Sequence, residues 1–372
     1  MNNNIFKVLG VQSREDSVSN AIAYAINQSD KFRNGFLSHI CDKNSRDYDS
    51  CLAYTRVSTG ESGIPDLVII CKSQNGAELI IIENKLKADE GDDQTDRYAK
   101  EESINALIDR LCPDYQRESV NASFIFLTLF PDQEPSSKKF VVKRHSDLST
   151  ININKKEINS LAVQLISDWI SLTKDFYSKS ETNPEDIICK KLQNDNGMDG
   201  GYLYFRTFLG QLSLPSKLEV EDFFRDSRQG RRYYGAIFSK DSWHPREMVE
   251  DGEQWKLDVD QVFNIHLEPQ FNVLSGIFSI FLHYEVNPYE PESWVNQNIS
   301  KEQYNGYLAR RQKFTDALQN KKPREWVFGG GSNQIAKVQL NFEEYSLMQA
   351  KNSIEKIFRE TARAIDGVLS KI

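Results

Sequence analysis

Two apolar runs, PDLVIIC (residues 65–71) and ELIIIENK (residues 78–85), are joined by the polar stretch KSQNGA (72–77). Each run is short, rich in β-branched residues and bounded by turn formers, which predicts two strands. The Ser-Gln-Asn-Gly stretch between them (73–76) predicts a hairpin. Residues i and i+2 of a strand share a face, so Glu83 and Lys85 project together while Asn84 points away. Pairing through the turn sets Asp66, at the start of the first strand, opposite the end of the second. Three charged side chains on apolar strands are then expected to converge on one spot.

Outward from this hairpin, EDSVSNAIAYAINQ (15–28) spaces Val18, Ile22, Ala25 and Ile26 at helical intervals, and a second helical piece is expected around Phe36, Leu37 and Ile40. A short strand is expected over Ala53 to Ser58, followed by a turn at Gly60 to Gly63. Beyond the hairpin, residues 89–111 read as a polar amphipathic helix. SFIFLTLF (123–130) reads as a strand buried on both faces, and 157–176 as a helix with Ile158, Leu161, Leu165 and Trp169 on one side. The order α-β-β-α-β-α predicts a mixed α/β domain over residues 1–180. Polar residues at 177–200 mark a linker. Residues 201–372, with dense aromatics, a series of strand-like runs and a long terminal amphipathic helix from about Phe342, predict an α+β C-terminal domain for substrate binding or assembly.

Two carboxylates and a lysine together suit a hard divalent cation. Asp66 and Glu83 would supply oxygen ligands, and the Asn84 carbonyl would help to complete the shell, a preference of Mg²⁺ (or Mn²⁺). Such an ion polarises a phosphate and acidifies a bound water, while Lys85 orients that water or stabilises developing charge. These residues therefore predict phosphodiester hydrolysis.

Pro65-Asp66, followed after a sixteen-residue gap by Glu83-Asn84-Lys85, resembles the PD-(D/E)xK motif of a nuclease superfamily that includes many restriction endonucleases and recombination nucleases. QTDRY (94–98) resembles the QxxxY motif of its RecB-type and phage-exonuclease branch. Gln94 and Tyr98 are i and i+4 and share a helix face. In that branch a glutamate on the first helix approaches the metal, and Glu15 is the matching position. The resemblance covers about residues 10–175. It implies an α/β fold with a restriction-endonuclease-like mixed β-sheet core flanked by helices, catalytic roles for Asp66, Glu83, Lys85, Gln94 and Tyr98, and a metal set of Asp66, Glu83, Asn84 and Glu15. It also implies DNA as the favoured substrate, in bacterial restriction, repair or antiviral defence.

Each reading has a plainer counterpart. Asp66, Glu83 and Lys85 as solvated strand ends would form a surface ion pair contributing well under about 1 kcal/mol. Against this, Glu83 follows Leu79-Ile80-Ile81-Ile82, and a charge at the end of a central strand needs a partner or an ion. The whole assembly as a catalytically inactive binding or assembly module is the alternative function. Asp114 in LCPDYQRE has no downstream ExK strand and reads as a turn. Glu15 also suits a helix N-terminus, where acidic residues oppose the macrodipole.

The chain has 372 residues, 27% of them charged and 39% hydrophobic, which excludes disordered and fibrous classes. Its net charge of -8 looks wrong for a nucleic-acid partner. However, residues 301–372 carry 13 Lys and Arg against 8 Asp and Glu, and the first 300 carry 33 against 46. Arg231, Arg232, Arg310 and Arg311 are candidates for phosphate contact; Tyr233 and Tyr234 read as aromatic core flanked by that basic rim, with base stacking as the alternative. The five cysteines are scattered without a CxxC pair and the five histidines are not clustered, so reduced thiols are expected and a zinc site is not. No apolar run approaches the roughly 20 residues that span a bilayer, and no secretory signal is expected, so a soluble cytoplasmic protein without membrane contact follows, with a homo-oligomer open.

Overall fold

The computed structural model describes residues 4–87, 90–131, 133–152, 161–194, 198–228, 231–243, 249–251, 254–256, 263–285, 300–321, 325–329 and 333–371. The chain forms two compact units: residues 1–178 with 196–199, and residues 179–195 with 200–372.

The first unit opens with α1 (Ile5–Leu9), α2 (Glu15–Gln28) and α3 (Asp30–His39). Glu15 and Asp16 occupy the first turn of α2, and Val18, Ile22, Ala25 and Ile26 are buried along one side, as their spacing predicts. The five strands that follow are β1 (Ser50–Tyr54), β2 (Leu67–Ser73), β3 (Gly76–Lys85), β4 (Val120–Thr128) and β5 (Phe140–Arg144). They form one sheet in the order β1-β2-β3-β4-β5. The first two pairings are antiparallel and the last two parallel, so the core is a mixed sheet. Between β3 and β4 lie α4 (Gln94–Tyr98) and α5 (Glu101–Leu111), and α6 (Leu161–Ser178) follows β5.

β3 is central, and its residues Ala77 to Lys85 are all buried. A strand covered on both faces reads as an unbroken apolar run, and Leu79 to Ile82 is that run. One face packs Val68, Ile70, Leu79 and Ile81 against Leu107 and Ile108 of α5 and Phe124 and Phe126 of β4. Ile81→Ala, which empties a fully buried site in this cluster, is expected to cost about 2–5 kcal/mol, read as a lower midpoint in urea.

Several local expectations shift. The strand expected over 53–58 is β1 at 50–54. It ends early because Arg56 takes a left-handed φ of 58° and the ladder to β2 stops at Tyr54↔Val68. The helix expected over 89–111 is two helices, separated where Lys100 turns extended to precede α5. The helix expected over 157–176 is described from Leu161, with 153–160 outside the described residues. The polar stretch 177–200 contains α7 (Ile188–Leu192). Cys51 and Cys71, far apart in sequence, are cross-strand partners on β1 and β2, and all five thiols are free.

The second unit holds α7 and α8 (Gly200–Gly210), then β6 (Glu219–Arg228), β7 (Arg231–Ser239), β8 (Val249–Asp251), β9 (Gln254–Lys256), β10 (Asn264–Asn272) and β11 (Ile277–Glu285). It continues with α9 (Lys301–Asn320), β12 (Val327–Phe328), β13 (Gln334–Asn341) and α10 (Leu347–Leu369). Six strands form an antiparallel sheet in the order β12-β13-β11-β10-β7-β6, and β8 and β9 pair separately. α10 begins at a capping box, in which Ser346 Oγ accepts from Gln349 N–H and the Gln349 side chain accepts from Ser346 N–H. The terminal helix therefore starts at Leu347 rather than near Phe342. Among the described residues no helix is long and apolar enough to cross a membrane.

Candidate active site

The hairpin register places Leu67 opposite Ile82, so Asp66 falls beside the end of β3. Its Oδ2 accepts from the Asn84 backbone N–H at 2.8 Å, taking the place of the next ladder bond. Backbone groups alternate in direction along a strand, so the Asn84 carbonyl shares the edge that meets Asp66. Lys85 Nζ lies 2.7 Å from Glu83 Oε1, which follows from their i, i+2 spacing. The other Glu83 oxygen, Oε2, is buried and has no hydrogen-bond partner.

Gln94 and Tyr98 meet this pair from α4. Gln94 Oε1 accepts from Lys85 Nζ at 3.0 Å and Gln94 Nε2 donates to the Tyr98 hydroxyl at 2.9 Å. The hydroxyl in turn donates to the Ile64 carbonyl at 3.0 Å. The neighbouring turn comes close to the ring: Gly63 has φ 115°, and a Cβ there would sit 3.2 Å from Tyr98 Cε1. Tyr98→Phe strands both Gln94 Nε2 and the Ile64 carbonyl. A loss of about 1–3 kcal/mol is expected, measurable as a lower unfolding temperature.

Glu15, the first residue of α2, comes to the same end of β3, where its Oε1 accepts from Leu86 N–H at 2.8 Å. Asn84, pointing away as its strand position requires, donates from Nδ2 to Ser19 Oγ at 2.8 Å. Its Oδ1 is 2.8 Å from His145 Nε2, and His145 Nδ1 accepts from Trp169 Nε1–H at 3.1 Å. Burial pushes the His145 imidazole down to about 3, so it stays neutral and serves as a link in this chain. Ser19, His145 and Trp169 lock Asn84 and, through its backbone, the Asp66 bond. Ser19 and His145 lie 65 and 61 residues from Asn84 and carry no local signal, although the amphipathic pattern places Trp169 on a buried helix face.

The electrostatics are those of a crowded anionic site. Burial, and then the like charge of Asp66, push Glu83 up to about 8 despite Lys85. Burial raises Asp66 to about 6, against the Asn84 hydrogen bond and Lys85, with Glu15 adding to the rise. Burial works against the Lys85 charge, but Glu83 beside it outweighs burial and holds the ammonium above its ordinary value. One lysine does not neutralise a buried carboxylate and a half-buried one. An orphaned carboxylate oxygen next to a second acid and an outward-facing carbonyl fits the oxygen ligands that a divalent ion prefers.

The acidic run after β3 is partly turned aside. Glu90 accepts from Thr95 N–H and, at 2.6 Å, from Ser136 N–H, while Asp92 and Asp93 are exposed and Asp89 lies outside the described residues. Asp114 lies in a turn after α5.

The basic candidates lie in the second unit. Arg232 is half-buried on β7, and the Arg231 side chain lies outside the described residues. Arg310 and Arg311 lie on α9, but Arg311 Nη2 donates to the Gln334 carbonyl at 3.2 Å, so its guanidinium serves the fold. Tyr234 takes the core reading rather than the stacking alternative: it is fully buried against Tyr202, Phe205 and Phe271. The expectation that the histidines do not cluster fails, because His266 and His283 are cross-strand partners on β10 and β11.

A model of the PD-(D/E)XK nuclease superfamily matches residues 3–190 of the chain. No curated protein and no solved structure matches it.

Proposed function

The chain belongs to the PD-(D/E)XK nuclease superfamily, and from this we propose that its first unit is a divalent-metal-dependent nuclease with DNA as preferred substrate. The observation that carries the reading is the buried, unpartnered Oε2 of Glu83 beside Asp66, with Lys85 held on the other oxygen.

Asp66, Glu83 and the Asn84 carbonyl would hold Mg²⁺ or Mn²⁺, with Glu15 near enough in the chain fold to join them or to set the Leu86 backbone. When bound, such an ion polarises the scissile phosphodiester and lowers the pKa of water. Lys85 Nζ has a fixed place between Glu83 and Gln94, from which it donates to the attacking water or to charge developing on a phosphate oxygen. Gln94 and Tyr98 act as positioning residues, since the chain from Ile64 through Tyr98 and Gln94 fixes where the Lys85 ammonium rests. This is the role we assign to the QxxxY pair.

For the second unit we propose substrate binding or assembly, with Arg232 and Arg310 as phosphate contacts. Restriction, repair or defence against phage in the cytoplasm is the biological setting that the family suggests. The closed Glu83–Lys85 ion pair favours a second reading, an inactive binding module in which that pair replaces a metal. The purified chain with Mg²⁺ or Mn²⁺, offered linear DNA, circular DNA and RNA, tests both. Metal-dependent cleavage, strongest on DNA, is expected, and no cleavage of any of the three removes the nuclease reading.

A further inference from the structure

β10 and β11 are adjacent inner strands of the second sheet, and one face of the pair is apolar as an inner face should be: Ile265, Leu267, Phe271, Phe278, Ile280, Leu282 and Tyr284 are all buried. The opposite face breaks this pattern. Asn264, His266, Glu268 and Gln270 alternate along β10, and the register sets His283 opposite His266 and Glu285 opposite Asn264. Polar residues at buried strand positions oppose folding unless they have a function or full mutual satisfaction.

Their geometry is that of a ligand set. His266, Glu268 and His283 each offer one donor atom, and the three atoms lie within 4.8 Å of one another. Glu268 Oε2 is 3.6 Å from His266 Nε2 and 3.9 Å from His283 Nδ1. Tetrahedral bonds of about 2.0–2.2 Å put ligand atoms about 3.4 Å apart, so the two Glu268 distances need to close by about half an ångström or less and the whole set by at most about 1.4 Å.

Its surroundings support it. His283 Nδ1 also lies 2.7 Å from Glu285 Oε1, so a second carboxylate oxygen stands beside the nitrogen that this residue offers to the set. Gln270 Nε2 donates to Glu268 Oε1. Asn264 is fully buried and its Nδ2 has no acceptor, the ordinary mark of a water or ion that belongs there. A water held on a metal by the neighbouring residues of the same face is an acceptor of that kind.

We propose that His266, Glu268 and His283 bind one divalent transition ion of the zinc class, with a water as fourth ligand, and so tie β10 to β11 at a site separate from the nuclease centre. Two imidazoles select against Mg²⁺ and Ca²⁺, which prefer all-oxygen shells. The two centres would thus take different metals in the same cell.

The experiment uses the full-length chain carrying Asp66→Ala, to weaken the first site, dialysed against Zn²⁺ with Mg²⁺ in excess. One equivalent of Zn²⁺ is expected, falling to none in His283→Gln and Glu268→Gln, and Co²⁺ in place of Zn²⁺ is expected to give the visible bands of a low-coordinate site. Absence of Zn²⁺ from the parent chain overturns the proposal, as does an undiminished equivalent in both variants. If the variants fail to fold by circular dichroism, the parent decides alone through diethylpyrocarbonate labelling of His283. Zn²⁺ protection supports the site and unchanged labelling overturns it. None of these readouts depends on nuclease activity.

Discussion

Lys85→Ala is expected to reduce metal-dependent DNA cleavage by about 10²–10³-fold or more, and Asp66→Ala to abolish it, with both chains still folded. The magnitude for Lys85 is that of losing one preorganised donor aimed at developing charge in a water-poor site. Lys85 Nζ is held by two acceptors, Glu83 Oε1 at 2.7 Å and Gln94 Oε1 at 3.0 Å, so its place is set before substrate arrives. Its removal also takes the positive charge of Lys85 from beside Glu83, which pushes that carboxyl further toward its neutral form and away from metal binding. Asp66→Ala removes a ligand outright. It should not unfold the chain, because the lost acid is one whose charge the fold disfavours. Cleavage rates with circular dichroism spectra for both variants check this, and undiminished cleavage by both would sink the site assignment.

The second large effect is a pH dependence. Asp66 rises to about 6 and Glu83 to about 8, both chiefly through burial. Metal binding needs both carboxylates ionised, so each proton released below its pKa opposes binding by up to tenfold per pH unit. Mn²⁺ affinity, measured by calorimetry, is therefore expected to rise by about 10–100-fold between pH 6 and pH 8. The sign for stability is the reverse. Groups whose folded pKa lies above the unfolded value hold extra protons in the folded state, so the metal-free chain loses stability as pH rises from about 4 toward 8. Mn²⁺ should thus raise the unfolding temperature more at pH 8 than at pH 6. A flat affinity across this range would show that the two acids do not bind the ion.

The net charge of -8 combines an acidic stretch over the first 300 residues with a basic one over residues 301–372. Part of that basic stretch is structural, because Arg311 is spent on the Gln334 carbonyl. Arg232 and Arg310 are proposed phosphate contacts of the second unit, and the salt dependence of DNA binding should be modest.

How much of this was legible depended on sequence separation. Glu83 and Lys85 were placed together by a strand period of two, and Asp66 by a hairpin of minimal length; both are local rules. Gln94 and Tyr98 met because i and i+4 share a helix face. By contrast, the edge strand β5 carries no such signal, because FVVKR is half-exposed and lacks a full apolar run. The bond from Leu86 to Glu15 spans 71 residues, and that from His145 to Asn84 spans 61. No periodicity links residues so far apart.

What the sequence by itself determined is the β2–β3 hairpin in a mixed α/β domain and the three charged residues that it brings together, because short-range periodicity dictates which side chains share a face. Tertiary structure alone decided which neighbours surround them. It set Glu15 against the end of β3, threaded His145 and Trp169 behind Asn84, and turned Tyr234 into the core. It also joined His266 to His283, since a register between strands is a fact about packing and turn length, not about either strand alone.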